Sequence, residues 1–409
     1  MNIVSAEVAQ DRAADEPAPS SQQWAATLAP RWCRRASEAG LLRRLPKETV
    51  GELMAHGLLE IVAPARHGGL QEGWPQLVQT ARVAARACPS TAWAIALVGG
   101  HAALASRLPA LCQEEMYAPS GPKLFASASV TTNARIEVCP GGYLVSGRWR
   151  FCSAVSHADW VMLSARWSCD GQDGSPEMQM LVVQQHQLSI DDCTWQTTGM
   201  RGTGSFDVQA DRVFVPVHRL IAWKDLLAAA PEGAMRHPDH YLAQMPLLPY
   251  VSSWVVGPIL GCAEGAYELY AQGARKYRDA RTGLPLAEMH LAQERLAESA
   301  AELECAALLL DSLGVRLHEA GVQRRPLTAV QTAAAVRRDA AYLSELCRRA
   351  IERLVRHAGS GVFFEDDGLN RRWNDLQFMV AHADVQWDGA MRLFGELALK
   401  SLHPLESAQ

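Results

Sequence analysis

Between about Lys123 and Trp223 the apolar residues recur at every second position, whereas on both sides they recur at helical spacing. One kind of element cannot carry both periods. Side chains alternate across a strand but return to one face of a helix every three to four residues. The chain must therefore fold as helices, then a small antiparallel β-domain, then helices again, which makes the class α+β, mainly α. Its 409 residues suffice for two or three domains with a large core. The expected divisions are a frayed tail (1–22), an N-terminal helical domain (23–121), a central β-domain (122–224) and a C-terminal helical bundle (225–409).

In the first helical part Leu41, Leu42, Leu45, Leu53, Leu58 and Leu59 keep the spacing, broken by Pro46, Gly57 and a loop over 64–69. In CPSTAW (88–93), Ser90 or Thr91 is placed to cap a helix whose run 92–98 is apolar on nearly all sides and should be buried. Gly99, Gly100 and His101 follow at or near its end, and His101 there is either structural or catalytic. In the last part, Ala-rich stretches such as LAESAAELECAALLLDSLG favour long, closely packed helices in an up-down bundle, and 376–399 reads as a closing helix.

The period-two stretch offers strands at 125–130, 136–139, 143–151, 160–165, 179–183, 188–191 and 206–215. Within it, GGYLVSGRWRFCSAVSHADWVMLSARW (141–167) reads as two strands joined by a bend that carries Cys152, Ser153, Ser156, His157 and Asp159. An ordinary hairpin with a polar turn is one reading. The other is a cofactor site: small hydroxyl and thiol groups beside aromatics let a flat ring approach the backbone and bond through its nitrogens.

The formal net charge of −5 argues against a general basic surface for nucleic acid or anionic membrane. The longest apolar runs, such as 92–97, are too short to span a bilayer, and the acidic, polar N-terminus does not read as a signal peptide. Ten cysteines without a CxxC pair or zinc-type spacing suggest a reducing cytoplasm and neither disulfides nor a metal site. Gly202-Thr203-Gly204 lacks the strand and helix of a phosphate-binding loop.

Five segments in order resemble the acyl-CoA dehydrogenase superfamily, and more closely its branch of two-component flavin-dependent monooxygenases. They are GLLEIVAPARHGGL (57–70), CPSTAW followed by His101, GGYLVSGRWRFCSAVSHADW (141–160), TWQTTGMRGTGSFDVQADRVFVP (194–216) and LNRRWNDLQFMVAH (369–382). The resemblance implies a helical domain, a β-domain and a four-helix bundle, generally assembled as a homotetramer. It implies reduced FMN or FAD, delivered through diffusion by an NAD(P)H-dependent flavin reductase, and O2 as co-substrate. It implies oxygenation of a small, aromatic organic molecule through a flavin C4a-hydroperoxide. It places Ser153 near flavin N5 and makes His101 and His382 the proton-handling residues. It assigns flavin contacts to Ser127, Ser129, Phe151, Cys152, Ser153, Arg201, Gly202, Thr203 and Ser205, with Arg278 or Arg281 at the phosphate.

The alternative is an acyl-CoA dehydrogenase, which needs a carboxylate base for the α-proton of a thioester. In the commonest arrangement that Glu stands eight residues beyond the signature Asp. Eight beyond Asp375 is Ala383, preceded by His382. Glu264 or Glu268 would be the remaining candidates. Two departures stand out: Ala154 follows Ser153 where the branch has Gly, and Asn374 replaces the Arg before Asp375.

Overall fold

The computed structural model describes residues 19–402, apart from 120, 122, 169–174, 280–281, 326, 328–329 and 365–366. The N-terminal helices are α1 (Ser21–Leu42), α2 (Lys47–Ala55), α3 (Trp74–Ala87), α4 (Pro89–Trp93), α5 (Gly99–Ala105) and α6 (Ala110–Tyr117). Helix α1 begins inside the stretch read as tail. Ser20 and Gln23 form a reciprocal capping box that satisfies its first free N–H groups. A π turn (Ala94–Val98) joins α4 to α5, so His101 lies within a helix that continues to Ala105 rather than at its end. Neither Ser90 nor Thr91 caps α4. Pro89 occupies the first turn and moves the cap back to Cys88, leaving both hydroxyl residues buried.

The β-domain follows: β1 (Phe125–Ala128), β2 (Val130–Thr131), β3 (Arg135–Cys139), β4 (Gly142–Cys152), β5 (Trp160–Trp167), β6 (Glu177–Gln184), β7 (Ser189–Asp191), β8 (Phe206–Pro216) and β9 (Leu220–Ala222). They form two sheets, β1-β5-β6-β9 and β2-β4-β8-β7, with β3 added to β4. Pairing is antiparallel except between β1 and β5, which run parallel. Strands β4 and β5 lie in different sheets. The bend after Cys152 is therefore a crossing between sheets, which rules out the hairpin reading.

The chain then makes α7 (Trp223–Leu227), α8 (Tyr241–Gln244), α9 (Leu248–Val251), α10 (Val256–Lys276), α11 (His290–Val322), α12 (Val330–Ala358), α13 (Gly368–Val380) and α14 (Trp387–Leu402). Helix α10 meets α3 through Gly257, Gly261 and Gly265, one per turn. A Cβ at these positions would strike the carbonyls of Val78, Arg82 and Arg86 at 2.2, 2.0 and 2.6 Å. The glycine row thus permits backbone contact that any side chain would forbid. The closing helix expected at 376–399 is broken by a turn, Ala383–Val385, between α13 and α14. Among the described residues no helix is long and apolar enough to cross a membrane.

Candidate active site

Ser153 begins the crossing between sheets and is nearly buried. Its hydroxyl lies 2.9 Å from Ser205 Oγ, which lies 2.8 Å from Thr203 Oγ1. Thr203 donates to the Met200 carbonyl at 2.9 Å. From the other side Trp93 Nε1, on α4, donates to Ser153 Oγ at 3.4 Å. The backbone of the bend is held to the same loop, Ala154 N–H donating to Thr203 O at 2.9 Å. Ala154 itself adopts φ 55°, a left-handed conformation that favours glycine.

The loop carrying Met200, Thr203 and Ser205 is locked onto α13. Gly199 lies so close that a Cβ would sit 2.0 Å from Asn374 O. Met200 N–H donates to the Asp375 carboxylate at 2.5 Å. Burial raises the Asp375 carboxyl to about 6, against the pull of the Met200 hydrogen bond and of Arg371, Arg372 and Arg201. Asn374 bonds within its own helix to Asn370, so the departure from Arg leaves this anchor intact.

His101 is buried on α5. Its Nδ1 faces Phe125 O at 2.6 Å and its Nε2 faces Ser127 Oγ at 2.9 Å. A carbonyl only accepts, so Nδ1 carries the proton. Burial lowers the ring to about 4, with the Phe125 hydrogen bond opposing, so at neutral pH the ring is neutral and Nε2 is bare. Ser127 must then donate to Nε2. Trp254 walls this place, its ring edge-on to His101 and packed over Gly100.

His382, expected on the last helix, instead caps the turn between α13 and α14. Its Nδ1 accepts from Asp384 N–H at 3.4 Å, and an Asp384 oxygen lies at the same distance. Burial pushes the Asp384 carboxyl up, while His382 and Arg337 pull it down. The His382 ring stands edge-on to Trp93 at 5.5 Å between centroids. Trp93 therefore touches both Ser153 and His382.

The remaining expected contacts are placed unevenly. Phe151 is 41% exposed beside the bend, with Arg150 over its ring and Trp195 at its edge. Cys152 is buried, and burial pushes its thiol up, so it stays protonated. Ser129 bonds to Ser164 Oγ at 3.0 Å. Gly202 packs against Ala39 and Ser90. Among the described residues, Arg201 has a buried Nε with no hydrogen-bond partner. Arg278 donates to Gly283 O at 3.0 Å in an exposed turn, and Arg281 lies outside the described residues. Of the two alternative bases, Glu264 is paired with Arg82 at 2.5 Å and Glu268 with Arg86, so both carboxylates are engaged by α3.

Sequence reading missed the anchoring role of Asp375 and the bridging role of Trp93. It also missed Arg107, a fully buried guanidinium that donates to the carbonyls of Leu226, Ala228, Leu242, Ala243 and Met245. The motif match contained Trp93 and Asp375. Nothing local marks Arg107, because its partners lie more than one hundred residues away.

The fold is of acyl-CoA-dehydrogenase type, with a buried hydroxyl network at the crossing between its sheets. Residues 253–387 match the family model described as acyl-CoA dehydrogenase, C-terminal domain. Over 373 residues the chain is 29% identical to the oxygenase component of an FADH2-dependent resorcinol hydroxylase from a Rhizobium species, covering 90% of each. Over 372 residues it is 27% identical to a pigment production hydroxylase from a Rhodococcus species, covering 91% of this chain and 94% of the relative. The crystal structure of 3-HSA hydroxylase from Rhodococcus sp. RHA1 superposes with a TM-score of 0.85 at 25% identity, covering 96% of this chain and 98% of that one. Residues 253–387 thus resemble the acyl-CoA dehydrogenase C-terminal domain, and over nearly its whole length the chain is similar to oxygenase components of flavin-dependent hydroxylases.

Proposed function

We propose that this chain is the oxygenase component of a two-component flavin-dependent monooxygenase, taking reduced FMN or FAD and O2 to hydroxylate or oxygenate a small aromatic substrate. The observation that carries this reading is the Trp93 indole, which holds Ser153 through Nε1 and His382 across its ring, with Ala383 where a dehydrogenase would place its base. The residues present fit a flavin: Ser153 keeps an uncommitted lone pair beside a nearly buried bend, and Arg201 keeps a buried Nε that no described residue partners. The bound cofactor would supply activation of O2 and transfer of one oxygen atom.

The protein's own groups supply the rest. Ser153 would orient a ring nitrogen. His101, neutral and accepting from Ser127 at Nε2, is suited to take up a proton that Ser127 relays from a substrate hydroxyl. His382, backed by Asp384, is suited to store a proton on the Trp93 side. Burial of Trp93, Trp254 and Ser205 keeps bulk water from these groups. The same reading includes an NAD(P)H-dependent flavin reductase supplying the cofactor by diffusion, a cytoplasmic setting and a homotetrameric assembly.

The test couples the purified chain to a flavin reductase and follows oxygen uptake, phenolic product and hydrogen peroxide. Product is expected from the unaltered chain. His382→Ala should abolish product while flavin still binds, and Ser153→Ala should divert roughly tenfold more of the oxygen to peroxide, about the value of one hydrogen bond. Bleaching of bound oxidised flavin by an acyl-CoA, with no oxygenated product from any phenol or indole, would favour the dehydrogenase instead.

A further inference from the structure

The hydroxyl network has a direction. Each serine or threonine hydroxyl has one proton to give. Met200 O can only accept, so Thr203 gives its proton there, across 2.9 Å. That leaves Ser205 to donate to Thr203 across 2.8 Å, and then Ser153 to donate to Ser205 across 2.9 Å. At the far end Trp93 Nε1 can only donate, and it too meets Ser153 Oγ as an acceptor. Met200 O is further fixed as an acceptor by Trp195 Nε1 at 3.1 Å and Thr203 N at 3.2 Å. Thr203 and Ser205 are 4% and 3% exposed, so bulk water does not compete for their protons.

We propose that Thr203 and Ser205 hold Ser153 as a hydrogen-bond acceptor toward its ligand and thereby determine which redox state of the flavin the site takes. The inference rests on the reading of Ser153 as the flavin-facing hydroxyl. Reduced flavin bears a proton on N5 and can donate to Ser153 Oγ. Oxidised flavin offers a bare N5, and two acceptors would then face each other without a proton between them. The hydroxyl relay thus favours arrival of reduced cofactor and release of the oxidised form. Ser153 touches the ligand; Thr203 and Ser205 act through it as positioning residues.

The test is the dissociation constant for each redox state, by anaerobic titration with reduced FMN and aerobic titration with oxidised FMN, repeated with FAD. The unaltered chain should bind the reduced form more tightly. Thr203→Val keeps the shape but removes the terminal hydroxyl, and Ser205→Ala cuts the relay in the middle. Each frees the Ser153 proton to point at an acceptor, so each should tighten the oxidised form and shrink the ratio of the two constants by about fivefold to tenfold, the worth of one neutral hydrogen bond. Thr203→Ser restores the relay and should restore the ratio, which a merely structural role for the methyl group would not. An unchanged ratio in Thr203→Val and Ser205→Ala, with circular dichroism matching the unaltered chain, would overturn the inference alone. Failure of the unaltered chain to bind either redox state would overturn the flavin reading and this inference together.

Discussion

Ala154 and His101 show how single residues tune the site. Ala154 occupies a left-handed conformation at φ 55° and ψ 21°, which costs an L side chain about 1 kcal/mol relative to glycine. Ala154→Gly should therefore raise stability by up to about 1 kcal/mol in urea unfolding, and a loss of that size would show that the methyl group packs usefully. His101 is held neutral by burial down to about 4. A proton-accepting role for it should hence persist from pH 5 upward, with no loss of substrate affinity near 6.5. An affinity that falls as pH drops through 6.5, and does so through His101, would contradict the assignment of its protonation state. The Ser-Thr-Ala-Trp motif and His101 were legible in the sequence as a pattern. The tautomer was not, because Phe125 and Ser127 reach the ring from a strand whose position only the fold provides.

At the scale of elements, two segments are held by buried charge. The loop carrying Thr203 and Ser205 hangs on Asp375, whose carboxylate takes Met200 N–H. Asp375→Ala should destabilise the chain by about 2 kcal/mol, since it leaves a buried donor without a partner, and should weaken flavin binding by displacing the hydroxyl network. Unaltered flavin affinity in that variant would show that the loop is fixed by other contacts. Residues 226–245 are tied at both legs to Arg107, which has five carbonyl partners. Burial lowers the Arg107 guanidinium to about 10, which leaves it charged at neutral pH. Arg107→Leu should cost on the order of 3–5 kcal/mol and open residues 226–245 to limited proteolysis, because several buried carbonyls lose their donor. Strand periods and Ala-rich helices were readable because neighbours in sequence set them. The parallel β1–β5 pair, the break at 381–386 and the Arg107 clamp were not, because each depends on partners distant in the chain.

For the molecule as a whole, the order of helices, β-domain and bundle followed from the change of period, and the bundle's close contact with α3 follows from the glycine row on α10. Burial also makes the fold sensitive to acid. His101 and His237 are lowered to about 4 and His240 to about 3, burial being the largest cause each time. Groups whose folded pKa lies below the unfolded value near 6.5 contribute stability that is present above 6.5 and is lost as pH falls toward 4. Asp375, raised to about 6, works in the opposite sense, as do Asp384 and Glu60, whose carboxyls burial also raises. His67, His157 and His357, lowered by burial, add to the effect of the three rings. The melting temperature should accordingly fall between pH 7 and pH 5, and a flat or rising profile would contradict the burial of these rings. Handling of reduced flavin and oxygen by this site is read out by mixing the chain with anaerobically reduced FMN, then with oxygenated buffer, and following absorbance between about 370 and 450 nm, where oxidised flavin differs from its oxygen adducts. A transient absorbing near the lower wavelength should precede oxidised flavin and be shortened in Ser153→Ala. A single-phase return to oxidised flavin, with FMN and with FAD alike, would contradict the oxygenase reading.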